Sequence, residues 1–333
     1  MKSFTLPRWP RRLSLAVGLV CVAVTLAACG GAPPVVRPSG PAQPVTATSP
    51  DGKGAIRPLP APSGCTDNVI DGAGMTQALR SAAPGDVVCL QGDISDTRAV
   101  IQQSGTPQAP IKILGGGKAL VKGVTVEGDN IVVSGINAVN PAAPGISLDG
   151  NNITLENSTS ISPRGDDGDA VRFWGSNITI KHNTMRNTIP GPQKAHADCM
   201  QTFATDADHV ASQNVLIDNN RCEDISNMCL IVEGPNSVAG DGSGIGATSN
   251  ITFSNNYCQN RASQALQIDD TQKLTVTNND IVGDGLDKAF ALQNKSTGAK
   301  ISGNKLNSKI KYEVGMDDSS RPGYIGPEVG GDP

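Results

Sequence analysis

The chain is poor in aromatic and in basic side chains. Its 333 residues include two Trp, three Tyr, five Phe and three His, and 31 acids outweigh 27 bases for a formal charge of −4. Proteins that grip nucleic acid need clustered Lys and Arg to meet the phosphates, so this balance argues against a nucleic-acid partner. It leaves an acidic polysaccharide open, because a bound cation or a local Arg/Lys cluster can reverse the field within a cleft. There is also no apolar run long enough to cross a bilayer. The longest, Leu13 to Leu26, falls short of the roughly 20 residues that a helical span needs. No CxxC or Cys/His pair has zinc spacing, which sets aside a structural zinc site.

What is present begins with an export signal. Arg8, Arg11 and Arg12 precede the Leu13–Leu26 run, which ends in Leu26-Ala27-Ala28-Cys29 followed by two glycines. This pattern is similar to the lipobox of bacterial lipoproteins, so residues 1–28 read as a signal peptide and Cys29 as the acylated N-terminus. Cleavage would remove four bases (Lys2, Arg8, Arg11, Arg12) and no acid, moving the charge from −4 to −8. Residues 29–64 are rich in Pro, Gly and Ala and read as a tether. The expected location is extracytoplasmic, with membrane contact only through the lipid, and a monomer is expected. Cys65, Cys89, Cys199, Cys222, Cys229 and Cys258 then remain. An even set in an exported domain points to disulfides.

Internal repetition dominates the rest. The pattern polar-apolar-x-apolar-x-x-Asn appears at Asn177–Asn183, Asn214–Asn220, Asn250–Asn256 and Lys273–Asn279, with degenerate copies starting at Asn130, Asn152 and Gly298. Measured from Ile131, successive copies are 22, 25, 37, 36, 23 and 25 residues apart. Repeats of this size call for a stacked architecture, and period-two alternation of Ile, Val and Thr calls for strands. The fold expected is an all-β parallel β-helix over residues 65–312, with three strands per coil and about eight or nine coils. The terminal Asn residues, which tolerate left-handed backbone at a tight bend, would stack and bond one another's amides. Met75 to Ala83 reads as a capping helix over the first coil, stapled by Cys65–Cys89. Residues 313–333 are expected to be an irregular tail.

This arrangement resembles the right-handed parallel β-helix proteins of the pectate-lyase-like superfamily. The resemblance implies that the strand before each Asn bend is the second of its coil. The first strands are then Asp169–Trp174, Asp198–Phe203, Met228–Glu233, Gln264–Asp269 and Lys288–Gln293, and their outer face with its bordering loops is the saccharide cleft. The insertions 188–197, 205–213 and 234–249 all flank that face, where function usually lives. Alternation aims Arg172, Gln201 and Gln267 outward in one column and Trp174, Phe203, Glu233 and Asp269 in the next. Rings can stack on sugar faces, and Arg can fork a uronate carboxylate. The same placement puts Cys199 beside Cys229 and Cys222 beside Cys258, as disulfide pairs.

The segment Lys194-Ala-His196-Ala-Asp198-Cys-Met-Gln201 carries the most chemistry. His196, with an ordinary pKa near neutrality, is the expected general base and Lys194 the second choice, with Asp198 or Gln201 orienting. Asp166, Asp167 and Asp169 form an acidic turn that would hold Ca²⁺ through oxygen ligands. The function implied is a polysaccharide lyase, or a uronate epimerase, acting on an acidic glycan by proton abstraction and β-elimination. The paired-Arg signature of the main pectate lyase family and the Asn-Thr-Asp and Arg-Ile-Lys motifs of polygalacturonases are absent, so the resemblance bears on substrate class more than on reaction. The alternative is a non-catalytic, lipid-anchored glycan-binding or cell-wall organising module.

Overall fold

The computed structural model describes residues 59–191, 196–283 and 285–333. The signal segment, Cys29, most of the tether and Lys194 lie outside the described residues.

The Ile/Val/Thr segments form short strands that each pair in parallel with their copy one coil away. Parallel ladders of this kind bury their inner face, so inward positions are uniformly apolar. The first strands make one ten-stranded sheet, running from Ala99–Ile101 through Val171–Trp174, Met200–Phe203, Leu230–Glu233 and Leu266–Asp269 to Val329–Gly331. The second and third strands share a seventeen-stranded sheet. Leu230, Leu266, Phe290 and Val314 align in register, and all four are fully buried. Such columns form the single continuous core.

The Asn column holds the coils in register. The side-chain oxygen of Asn220 accepts from both the backbone N–H and the side-chain amide of Asn183, at 3.0 Å each. Asn220 donates likewise to Asn256, Asn256 to Asn279 and Asn279 to Asn304. Each side-chain amide also donates to a strand carbonyl, as Asn220 does to Ile180 at 2.8 Å. Asn183, Asn220, Asn256 and Asn279 are at most 1% exposed, so these bonds satisfy groups that water cannot reach. The left-handed residue of each bend is not the ladder Asn, as expected, but its predecessor: His182, Asn219, Asn255 and Asn278 have φ of 55°, 55°, 55° and 56°. The Asn that opens each motif is also left-handed, and Asn152, Asn177, Asn214 and Asn250 form a second, exposed ladder.

The capping helix spans Gly72–Ser81, one turn earlier than the apolar pattern implied. Two glycines obscured that turn, but the Asp71 carboxylate caps it by accepting from Gly74 N–H at 2.7 Å. The tail is not irregular throughout. Tyr312–Met316 and Val329–Gly331 extend the first-strand sheet beyond residue 312.

Cys65–Cys89 is bonded as expected. The other two pairs are not: Cys199 joins Cys222 and Cys229 joins Cys258. Cys199 and Cys229 sit at the corner before the first strand, where alternation has not begun, and both face the core at 0% exposure. The spacing of about 4.8 Å between parallel strands falls within the Cα range of a disulfide, so the direction of each thiol, into the coil interior, decides the partner. The corner thiol therefore bonds across the coil interior to the third strand of the same coil, with Cα–Cα distances of 5.8 and 6.0 Å.

Three outcomes test this architecture. Peptide mapping without reduction should recover Cys199–Cys222 and Cys229–Cys258 and no Cys199–Cys229 species. Asn220→Ala leaves buried amides of Asn183 without an acceptor and should lower stability by about 2–3 kcal/mol in denaturant melts. Asn214→Gly, which keeps the left-handed backbone at an exposed rung, should cost about 0.5 kcal/mol or less.

Candidate active site

The outer face of the first-strand sheet carries two columns set by strand register. One runs Ser147, Arg172, Gln201, Ile231, Gln267, Ala291. The next contains Phe203, Glu233, Asp269 and Gln293, with Trp174 against Phe203. Loops 205–213 and 234–249 border its downstream edge and are tied together by the Val210–Ile245 bridge and by Asp241 N–H donating to Thr205 O at 3.1 Å.

Charged groups converge at the upstream edge, where the chain enters the strands. Asp169, wholly buried, accepts from Asp198 N–H through Oδ1 and from Arg172 Nε through Oδ2, at 2.7 Å each. Asp167 accepts from the Nη2 of the same guanidinium. Asp198, also wholly buried, accepts through Oδ1 from Asn227 Nδ2 and Met228 N–H, at 2.8 Å each. Its Oδ2 faces His196 Nδ1 at 2.7 Å. Three successive coils are thus cross-linked through two carboxylates. The His196 side chain is 44% exposed.

This network fixes the protonation states. The hydrogen bond to Asp198 raises the His196 pKa to about 9, outweighing burial. Burial, reinforced by the Asp198 carboxylate and opposed by Arg172, raises Asp169 to about 6. Burial also raises Glu233, partly offset by the His196 charge. At neutral pH His196 is therefore an imidazolium, whereas the expected base role calls for the neutral ring.

Other expected residues divide between the open face and its supports. Arg172 is engaged by Asp167 and Asp169, and its guanidinium lies 5.6 Å from the Phe203 ring centre. Its charge is neutralised inside the fold, so it is not free to fork a uronate. Trp174 is 7% exposed, donates through Nε1 to Phe203 O at 2.9 Å, and is covered by Phe203 and His209 at centroid distances of 5.2 and 4.8 Å. It braces the wall rather than stacking on sugar, and the more exposed rings are those of Phe203 and His209. Asp269 is 1% exposed, and its Oδ2 accepts from Val238 N–H and Gln293 Nε2, anchoring the loop above it. Gln201 is 4% exposed and its Oε1 has no hydrogen-bond partner, while Gln267 accepts from Gln264 Nε2 at 3.1 Å. Asn227 and His209 were not foreseen. Both come from loops whose sequences carry no pattern, and only the length of the 205–213 insertion pointed toward His209.

The acidic turn does not form the expected cation site. Asp166 has left-handed backbone, and its carbonyl accepts from Gly191 N–H, while Asp167 and Asp169 pair with Arg172. Ligand atoms of Asp169, His196 and Asp198 instead lie within 4.8 Å of one another. This group does not suit Ca²⁺, which takes six to eight oxygens. Here both oxygens of each carboxylate already face N–H donors or the imidazole, and a guanidinium adjoins.

Residues 122–306 match the family model for the right handed beta helix region. The chain belongs to that family, and its coil is a right-handed parallel β-helix. Among curated proteins no sequence match was found. Among solved structures, the chain is similar to a mannuronic acid specific polysaccharide family 6 lyase from human gut microbiota, with 14% identity and a TM-score of 0.53 over 74% of this chain and 60% of that one. It is also similar to the PL6 family alginate lyase AlyGC (15% identity, TM-score 0.49, 74% of this chain and 40% of that one). A third likeness is to the pectate lyase Pel9A (13% identity, TM-score 0.49, 76% and 72%). The chain thus spans 60% and 40% of the length of the two family 6 lyases. At these identities the likeness is one of fold.

Replacing Asp198 by Asn tests the protonation states. His196 should titrate near 9 in the wild type, and close to its ordinary 6.5 in Asp198→Asn, read from the imidazole resonances by NMR. Because the folded-state pKa lies above the unfolded one, the pair stabilises the fold fully below about 6.5 and loses this contribution as pH rises through about 9. Stability of the wild type should therefore fall across that window, and Asp198→Asn should flatten the fall.

Proposed function

We propose that the protein is an exported, lipid-anchored cell-envelope lyase that cleaves an acidic glycan by β-elimination. The observation that carries this reading is the imidazolium of His196, held by a buried carboxylate at the head of an open sheet face between lengthened loops. β-Elimination needs a positively charged N–H near the carboxylate that takes up developing charge, or near the oxygen that departs, and His196 offers both charge and proton. Phe203, His209 and Gln267 supply ring edges and an amide along the strand direction, which suits a sugar chain. The substrate class is that of the mannuronic acid specific lyase whose fold the chain shares.

Export and acylation at Cys29 rest on the N-terminal sequence. Three disulfides among the described residues fit an oxidising compartment outside the cytoplasm. Lys194 stands two residues before His196 in sequence and stays a candidate for the site. A uronate epimerase shares the first proton abstraction and differs only in the fate of the resulting carbanion. A non-catalytic glycan-binding module is the second reading, favoured by the internal neutralisation of Arg172.

Incubation with a panel of uronate polymers should yield unsaturated products, seen by their ultraviolet absorbance. His196→Ala should lower turnover by about 10²–10⁴-fold and leave saccharide affinity measurable. The wild-type rate should fall as pH rises through about 9, where His196 gives up its proton. Affinity without new chain ends, on every polymer, would favour the binding module instead.

A further inference from the structure

One outward column of the second strands reads Leu114, Ser134, Glu156, Lys181, Asp218 and Ser254 in register. Leu114 is the one aliphatic residue of the six, and it is half-buried. The bend that follows it is also unlike the later ones. The Asn183 side chain accepts from Ser158 N–H, and Ser158 Oγ accepts in turn from Ile136 N–H at 3.2 Å. The amide ladder therefore ends before the first coils. Their left-handed bend residues are Gly116, Gly117 and Gly135, with φ of 57°, 74° and 69°, where later coils use Asn157, Asn219 and Asn255.

The segment Leu59-Pro60-Ala61-Pro62-Ser63 occupies the space that those missing side chains leave. A Cβ on Gly116 would come within 2.8 Å of Pro62 Cδ, and one on Gly135 within 2.7 Å of Leu59 Cδ1. The segment lines one cavity with Leu114 and Ser134, and a second with Leu90 and Gln91. Two prolines fix φ at two of its five residues, which lowers the entropy lost on docking. Just beyond it, Cys65 is bonded to Cys89, which stands in the column of Leu114 one coil earlier. Thr66 N–H then donates to Val87 O at 2.8 Å, and Asp67–Val69 enters the sheet.

We infer that residues 59–63 are a strap docked on the glycine bends, and that the strap and the Cys65–Cys89 bond lead the tether off the corner opposite the first-strand face, so that the candidate site is held facing away from the membrane. The orientation rests on the lipid-anchor reading above, whereas the docking does not. The bends lie between second and third strands, and the first strands form the other sheet. Residues 29–58, as a flexible chain, reach roughly 30 Å. A tether of that reach keeps the strapped corner near the lipid and sets the body of the coil between the bilayer and the first-strand sheet. A long glycan can then lie along the open face without meeting the membrane.

Limited proteolysis of the full-length chain, read by mass spectrometry, tests the docking. The wild type should be trimmed up to Leu59, with cuts inside 59–63 at least about tenfold slower than in the tether. Gly116→Asn keeps a residue that tolerates left-handed backbone but sets its Cβ against Pro62. Leu59→Asp alters the strap and leaves the coil sequence intact. In both, cuts inside 59–63 should rise to the tether rate while the product still begins before Cys65. Wild-type cuts inside 59–63 as fast as in the tether, or no change in either variant, would overturn the docking. The orientation is read on vesicles that carry a lipid dye. A fluorophore placed at Thr275, on a second strand, should transfer more energy to the lipid than one at Gln267, on the first strand of the same coil. Equal or reversed transfer overturns the orientation. A chain that does not bind vesicles overturns the lipid-anchor reading and the orientation with it, and the proteolysis still decides the docking.

Discussion

Buried amide-to-amide hydrogen bonds passing from coil to coil are the constraint on which the rest depends. An Asn side chain carries both an acceptor and two donors, so each rung can take from one neighbour and give to the next. In the interior a lost partner is not replaced by water. A coil shifted by one residue would strand amides on both sides and turn its apolar residues outward. Register is therefore fixed at the bend, and strands elsewhere in the coil inherit it. That inheritance places Asp198 within hydrogen-bonding distance of Asp169 in the coil before it and of Met228 in the coil after it.

The strands and the Asn column were legible because they repeat: alternation identifies the strand and recurrence identifies the stack. Legibility failed where the chain turns. The expected Cys199–Cys229 pair extends strand alternation to a corner, where consecutive residues can both face the core, as Cys199 and Met200 do. The left-handed backbone was assigned to the ladder Asn, although that residue is needed for its amide and the preceding one makes the bend. The helix start was hidden because Gly72 and Gly74 mask a turn that Asp71 caps.

The site was legible as a set of residue types but not as a set of charge states. His196 and Asp198 stand two apart in sequence, yet nothing in that spacing says that Asp198 is wholly buried, or that Asn227 and Met228 hold its carboxylate so that the other oxygen faces the imidazole. Arg172 illustrates the same limit. Its outward position was readable from parity, but its neutralisation by Asp167 and Asp169 depends on how the preceding turn folds back. Asn227 and His209 come from segments without repeat or pattern, so only tertiary structure could place them.

The carboxylate of Asp198 bridges separate coils: its own strand supplies the side chain, the next coil supplies Asn227 and Met228, and the previous one receives its N–H at Asp169. The hold on His196 is therefore shared among three coils. The Cys199–Cys222 bond closes the coil that carries Asp198, and Cys229–Cys258 closes the one that carries Asn227 and Met228, so reducing either bond would slacken the residues that aim the imidazole.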